Sequence, residues 1–183
     1  LDDTGYVGLT HIQGAVYLAP FAAGAGFGGR VKRYAVGQDF AVAASWSTFD
    51  TGANLDARAI GFIGIATDGR YLYLGAGFRV GAPHGFAVRY DTTHAFSDTS
   101  SWETFDMKDG VCAACNAEAV ASGAAVFDGR YVYYVPSVVT GRTSAWLMRF
   151  DTTASSFNDP QAWSGFDIMR VNAAVTALRG AVY

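Results

Sequence analysis

Apolar and polar positions recur along this chain in one fixed order. An apolar run rich in small residues meets a glycine turn, then a tyrosine-rich run, a glycine-rich loop, an arginine beside an aromatic, and finally Phe, Trp and Phe-Asp. The turns read Ile12-Gln13-Gly14, Thr67-Asp68-Gly69 and Phe127-Asp128-Gly129, followed by Val16-Tyr17, Leu72-Tyr73 and Val132-Tyr133. Next come Arg33-Tyr34, Arg89-Tyr90-Asp91-Thr92-Thr93 and Arg149-Phe150-Asp151-Thr152-Thr153. Phe40 with Trp46, Phe96 with Trp102 and Phe157 with Trp163 are each six apart, and each Trp leads to Phe-Asp: Phe49-Asp50, Phe105-Asp106 and Phe166-Asp167.

In the second repeat this pattern predicts four strands, at residues 60–66, 70–75, 86–90 and 102–107. β-Branched and aromatic residues fill those runs, and turn residues separate them. Asp68-Gly69 fits a type I′ hairpin turn, whose two central residues both need positive φ. No stretch holds a helical period. The Ala-rich residues 113–125 have a helical composition, but 119–126 take the repeat position of 60–66 and are read as a strand.

A four-stranded meander that is apolar on both faces must stack against its neighbours. The expectation is an all-β chain, a β-propeller of four-stranded antiparallel blades in a single domain over 1–183. Its repeats fall at about 4–57, 58–117 and 118–173, with an incomplete one at 174–183. Small residues suit the innermost strand, and Trp and Phe-Asp fill the width between outer strands. Arg33, Arg89 and Arg149 are expected to pair with nearby aspartates.

Leu178-Arg179-Gly180-Ala181-Val182-Tyr183 repeats Ile12-Gln13-Gly14-Ala15-Val16-Tyr17, which predicts three complete blades and the first hairpin of a fourth. A closed propeller takes four or more. The chain is therefore expected to be part of a longer protein, or a partner in an assembly that self-associates through the incomplete blade.

The third copy, Phe127-Asp128-Gly129-Arg130-Tyr131-Val132-Tyr133-Tyr134-Val135-Pro136, resembles bacterial propeller-repeat proteins of uncharacterised activity. Their blades read F-D-G-R-Y-V-Y-x-V-P, then R-Y-D-T, then W-x-x-F-D. The second copy departs at Gly75 and Ala76, where Val-Pro would stand. The resemblance implies the blade fold, and an exported or surface location by extension. It brings no functional residues.

Composition narrows the partners. The chain has 13 Lys plus Arg against 16 Asp plus Glu, a formal charge of −3. That balance offers no basic stripe for nucleic acid. No apolar run reaches the length of a membrane span, and Leu1-Asp2-Asp3-Thr4 lacks the features of a signal peptide. The two cysteines, Cys112 and Cys115, form one C-x-x-C, short of a zinc ligand set and read first as a local disulfide or a thiol pair. No metal or cofactor is called for. Gly24-Ala25-Gly26-Phe27-Gly28-Gly29 matches G-x-G-x-x-G but leads into a strand, so no helix N-terminus awaits a pyrophosphate.

A site is expected where the loops joining strands two and three meet those that follow strand four. These are residues 19–29, 76–85 and 135–144, with 51–58, 108–118 and 168–173, the segments in which the copies diverge most. Candidate ligand-binding residues there are Phe21, Phe27, Phe78, Arg79, His84, Asp109, Glu118 and Arg142, with Asp56 beside them. The first functional reading is a non-enzymatic binding or scaffold module for a carbohydrate or protein. A propeller-type glycoside hydrolase or lyase using Asp56, Asp109 and Glu118 is the second. A structural unit of an oligomer or filament is the third.

Overall fold

The structure, a computed structural model, describes residues 5–80, 82–110, 119–137, 145–175, 177–178 and 180–182. Its strands form three antiparallel meanders. The first sheet contains β1 (Gly5–Ile12), β2 (Ala15–Ala23), β3 (Gly26–Phe27), β4 (Arg30–Ala35) and β5 (Trp46–Asp50); β1, β2, β4 and β5 pair in that order, and β3 adds to the far end of β2. In the second repeat come β6 (Gly64–Thr67) and β7 (Tyr71–Gly75), then the small hairpin β8 (Phe78–Arg79) and β9 (Ala82–Pro83), then β10 (Phe86–Asp91) and β11 (Trp102–Asp106). The order β6-β7-β10-β11 makes the second sheet. The third is β12 (Ser122–Phe127), β13 (Tyr131–Pro136), β14 (Trp146–Asp151) and β15 (Trp163–Asp167). The chain is all-β, as its pattern predicts.

The motif residues each have a local task. Trp46, Trp102 and Trp163 donate their indole N–H to the carbonyls of Phe40, Phe96 and Phe157 at 3.1, 3.0 and 2.9 Å, which accounts for the constant spacing of six. The aspartate of each Phe-Asp accepts a backbone N–H of the turn after the fourth strand: Asp50 from Ala53, Asp106 from Lys108 and Asp167 from Met169. These caps hold short helical turns, α1 (Thr51–Asn54) and α2 (Met107–Gly110) among them. The Asp-Thr-Thr aspartates bind the turn arginines, Arg70 to Asp91 at 2.6 Å and Arg130 to Asp151 at 2.7 Å. The strand-three arginines go elsewhere. Arg89 donates to Glu103, Arg149 to Ser164 and Arg33 to the Tyr17 hydroxyl, each the residue directly opposite it on a neighbouring strand.

Two boundaries move from their predicted places. The type I′ geometry lies at Gln13-Gly14, where φ is 49° and 69°. In the other repeats Thr67 pairs with Leu72 and Phe127 with Val132, so the central residues are Gly69-Arg70 and Gly129-Arg130, with positive φ at the glycine only. Asp68 takes up the exposed amides through its side chain, accepting from Arg70 and Tyr71 at 2.8 and 2.6 Å. The first strand of the second repeat begins at Gly64, not at 60, because residues before it serve the previous sheet. The Gly61 N–H donates to Gly28 O and the Phe62 N–H to Pro20 O.

The same hand-over recurs from Ser122 N–H to Ala76 O and from Leu178 N–H to Pro136 O. The described residues after Leu178 are not strand, so the hairpin expected there does not appear among them.

The core lies between sheets, in two aromatic-rich clusters, one on each side of the second sheet. Phe49 stacks on Trp102 at 4.3 Å and 4°, and Phe105 stacks on Trp163 at 4.7 Å and 12°. First strands meet at glycine: a Cβ at Gly64 would lie 2.7 Å from the backbone of Ala124, and one at Gly8 would lie 2.8 Å from Ile65 Cγ2. Small residues therefore let first strands approach closely, while whole rings separate the fourth strands.

Candidate functional site

The predicted loops of the first two repeats do meet. Thr51, buried at the start of α1, donates its hydroxyl to Ala59 O at 2.6 Å, which fastens the connection between sheets, and its N–H donates to Gly29 O. That connection turns at Gly61, whose φ of 67° places its missing side chain against Phe27 and the Phe78 carbonyl. The glycine thus brings β3 and β8 together. Phe21 and Phe27 meet edge to face at 5.2 Å, and Phe27 stacks on Phe78 at 6.3 Å. All three rings are half-buried. Arg79 is exposed beside them.

Next to Phe27 lies an open groove of about 290 Å³ lined by Gly28, Gly29, Arg30, Asp50, Ala53 and Ile60, among others. Arg30 and Asp50 pair at 3.4 Å across it. The pair is peculiar to the first sheet, since the positions matching Arg30 in strand three of the other sheets are Phe86 and Trp146. Asp56 binds Arg58 at 2.8 Å, and Arg58 lies over the Phe86 ring at 4.4 Å. The Arg58 guanidinium, opposed by partial burial and assisted by Arg79, holds the Asp56 carboxyl below the usual carboxylate range.

His84 sits beneath this face, 2% exposed. Nε2 lies 2.6 Å from Ile60 O and Nδ1 accepts the Phe86 N–H at 3.1 Å. The two bonds together require the tautomer with the proton on Nε2. Burial pushes its pKa down to about 4, a shift only partly offset by the Ile60 carbonyl. The histidine is thus a neutral strut with both nitrogens engaged, and the loop reading that exposed it to a ligand is corrected. Compared with known proteins, the sequence matches no family model and no curated protein.

Phe21, Phe27, Phe78 and Arg79 of the predicted set are therefore brought together, and His84 supports them from below. Asp109 falls in α2 with its side chain outside the described residues; Glu118, Arg142, Cys112 and Cys115 lie outside them altogether. Sequence reasoning missed Arg30, Asp50 and Arg58. Asp50 belongs to the repeated Phe-Asp and reads as scaffold, and only the cross-strand register that sets Arg30 opposite it exposes the pair.

Proposed function

We propose that the three sheets are blades of a β-propeller and that the face around Phe21, Phe27 and Phe78 binds a carbohydrate. The blade reading is supported by the glycine-mediated approach of first strands combined with ring-wide separation of the fourth, a wedge that generates radial stacking.

The observation that carries the ligand is the run of three phenylalanine rings contributed by adjacent repeats, bordered by the Arg30–Asp50 groove. A sugar ring has an apolar C–H face and a rim of hydroxyls. The first packs on aromatic rings, and the second bonds to guanidinium and carboxylate groups at a groove edge. Binding is favoured over chemistry because, among the described residues, the carboxylates beside the groove are already occupied, Asp50 by Arg30 and the Ala53 N–H, Asp56 by Arg58.

The test is an oligosaccharide array followed by calorimetry on the best binder. Phe27→Ala and Phe78→Ala should each weaken that binder roughly tenfold or more while leaving the circular dichroism unchanged. An array with no signal above background, or a binder indifferent to both changes, overturns the reading.

A further inference from the structure

Positive charge gathers beside the three phenylalanines, over the end of the second sheet. Arg79 follows Phe78 in β8 and is exposed. Arg58 lies 4.4 Å over the Phe86 ring and gives Nε and Nη2 to the two oxygens of Asp56, at 3.0 and 2.8 Å. Lys108, in α2, runs its stem along the backbone next to His84: a Cβ at Gly85 would stand 2.8 Å from Lys108 Cγ. Burial is the main force that keeps the His84 ring neutral, the Ile60 carbonyl opposes it, and Arg79 and Lys108 both add to it, so the two cations lie near that ring. At Asp56, Arg58 is the main cause of the lowered pKa, burial opposes it, and Arg79 assists.

The charges at this edge do not cancel. Among the described residues Arg58, Arg79 and Lys108 stand against Asp56 and Asp106, three against two. Asp56 is taken by Arg58, and Asp106 accepts the Lys108 N–H at 3.1 Å as the cap of its turn. Neither the Arg79 guanidinium nor the Lys108 ammonium has a hydrogen bond or ion pair to a described residue. Nor do the three cations belong to the scaffold. The arginines that hold the sheets recur from repeat to repeat, whereas Lys108 takes the place of Met169, the residue whose N–H meets the matching aspartate in the third repeat. Arg58 and Arg79 stand in segments where the copies diverge.

We infer that the saccharide taken by this face is acidic, its ring lying on Phe27 and Phe78 and its carboxylate on Arg79, with Lys108 and Arg58 supplying positive charge at the same edge. This rests on the carbohydrate reading above. A guanidinium meets a carboxylate through two parallel N–H···O bonds, which fixes orientation as well as adding attraction. A neutral sugar makes no such pair, so Arg79 discriminates between acidic and neutral chains. A sulfate ester offers similar charge on a different group, and the test separates the two.

Calorimetry with oligomers of matched length tests this, comparing mannan with mannuronan, galactan with galacturonan, and either with a sulfated mannan. The readout is the ratio of acidic to neutral affinity. Wild type should prefer a uronate chain over its neutral partner by roughly tenfold or more, and salt should shrink that ratio. Arg79→Gln should bring the ratio close to one, Lys108→Gln should lower it by a smaller factor, and Arg79→Lys should restore part of it. A ratio near one in wild type, or one that Arg79→Gln leaves as it was, overturns the inference while the carbohydrate reading stands. Preference for the sulfated chain overturns the carboxylate assignment. Uronate binding that needs Arg79 but ignores Phe27→Ala and Phe78→Ala upholds the charged edge and overturns the ring platform. Silence from every oligomer overturns the acidic sugar.

Discussion

Lowering the pH should unfold this protein earlier than its carboxylates require, and His84 is the cause. Its ordinary pKa of 6.5 drops to about 4 in the folded chain, because the imidazole is buried with Nε2–H on Ile60 O and Nδ1 on the Phe86 N–H. Between those values the unfolded chain binds a proton that the folded chain refuses. Stability is therefore fully present above the unfolded value, declines as pH falls through the window, and levels out below the folded one. The gap corresponds to about 3 kcal/mol, with a limiting slope of about 1.4 kcal/mol per pH unit.

That loss is a large share of the roughly 5–15 kcal/mol that holds a typical domain. Asp91 and Asp151 leave the window clear. In Asp91 burial opposes ionisation but the bonds from Arg70 and Thr93 outweigh it, and in Asp151 the Arg130 bond dominates; both carboxyls stay well below the usual range. The assay is urea unfolding at several pH values in that window, comparing wild type with His84→Gln. The variant should be less stable near neutrality, having lost a fitted strut, yet its stability should change far less with pH. Parallel profiles for the two proteins would refute the assignment.

Further outcomes follow from the same geometry. Gly61→Ala should cost about 2–4 kcal/mol in urea unfolding, combining an unfavourable positive φ with overlap on the Phe78 carbonyl, and an unchanged midpoint would show that the turn relaxes freely. Asp91→Asn should lower the unfolding midpoint near neutral pH. The difference should fade as pH falls below the carboxylate range, since a depressed pKa contributes stability only where the unfolded group is ionised. A difference that persists in acid would separate Asp91 from its charge.

How much of this was legible depended on whether the information is local. Trp, Phe and Phe-Asp were readable because the indole-to-carbonyl bond spans six residues and recurs in every copy. Glycine turns were readable as turns but aligned one residue out. Gly14 is the second central residue of its turn and Gly69 the first, and sequence alone matches the two. The arginine partners were misassigned because the cross-strand register sets Glu103 directly opposite Arg89, while the turn arginine Arg70 takes Asp91.

At the candidate site the three phenylalanines were found from loop divergence. The fate of His84 was not, since its partner Ile60 lies 24 residues away and only the hand-over between sheets brings it near. Arg30 and Asp50 were hidden by the repeat itself, which made Asp50 look like its scaffold counterparts.

The central claim is that one ring stack, repeated, holds each sheet to the next. Its most direct test is the unfolding free energy of Phe49→Ala, Phe105→Ala and Phe166→Ala at concentrations where the chain is monomeric. The first two remove a ring buried against Trp102 or Trp163 and should each cost about 3–5 kcal/mol, while the third removes the same residue of the same motif from an open face and should cost less than about 1 kcal/mol. Equal costs at all three positions would contradict the account.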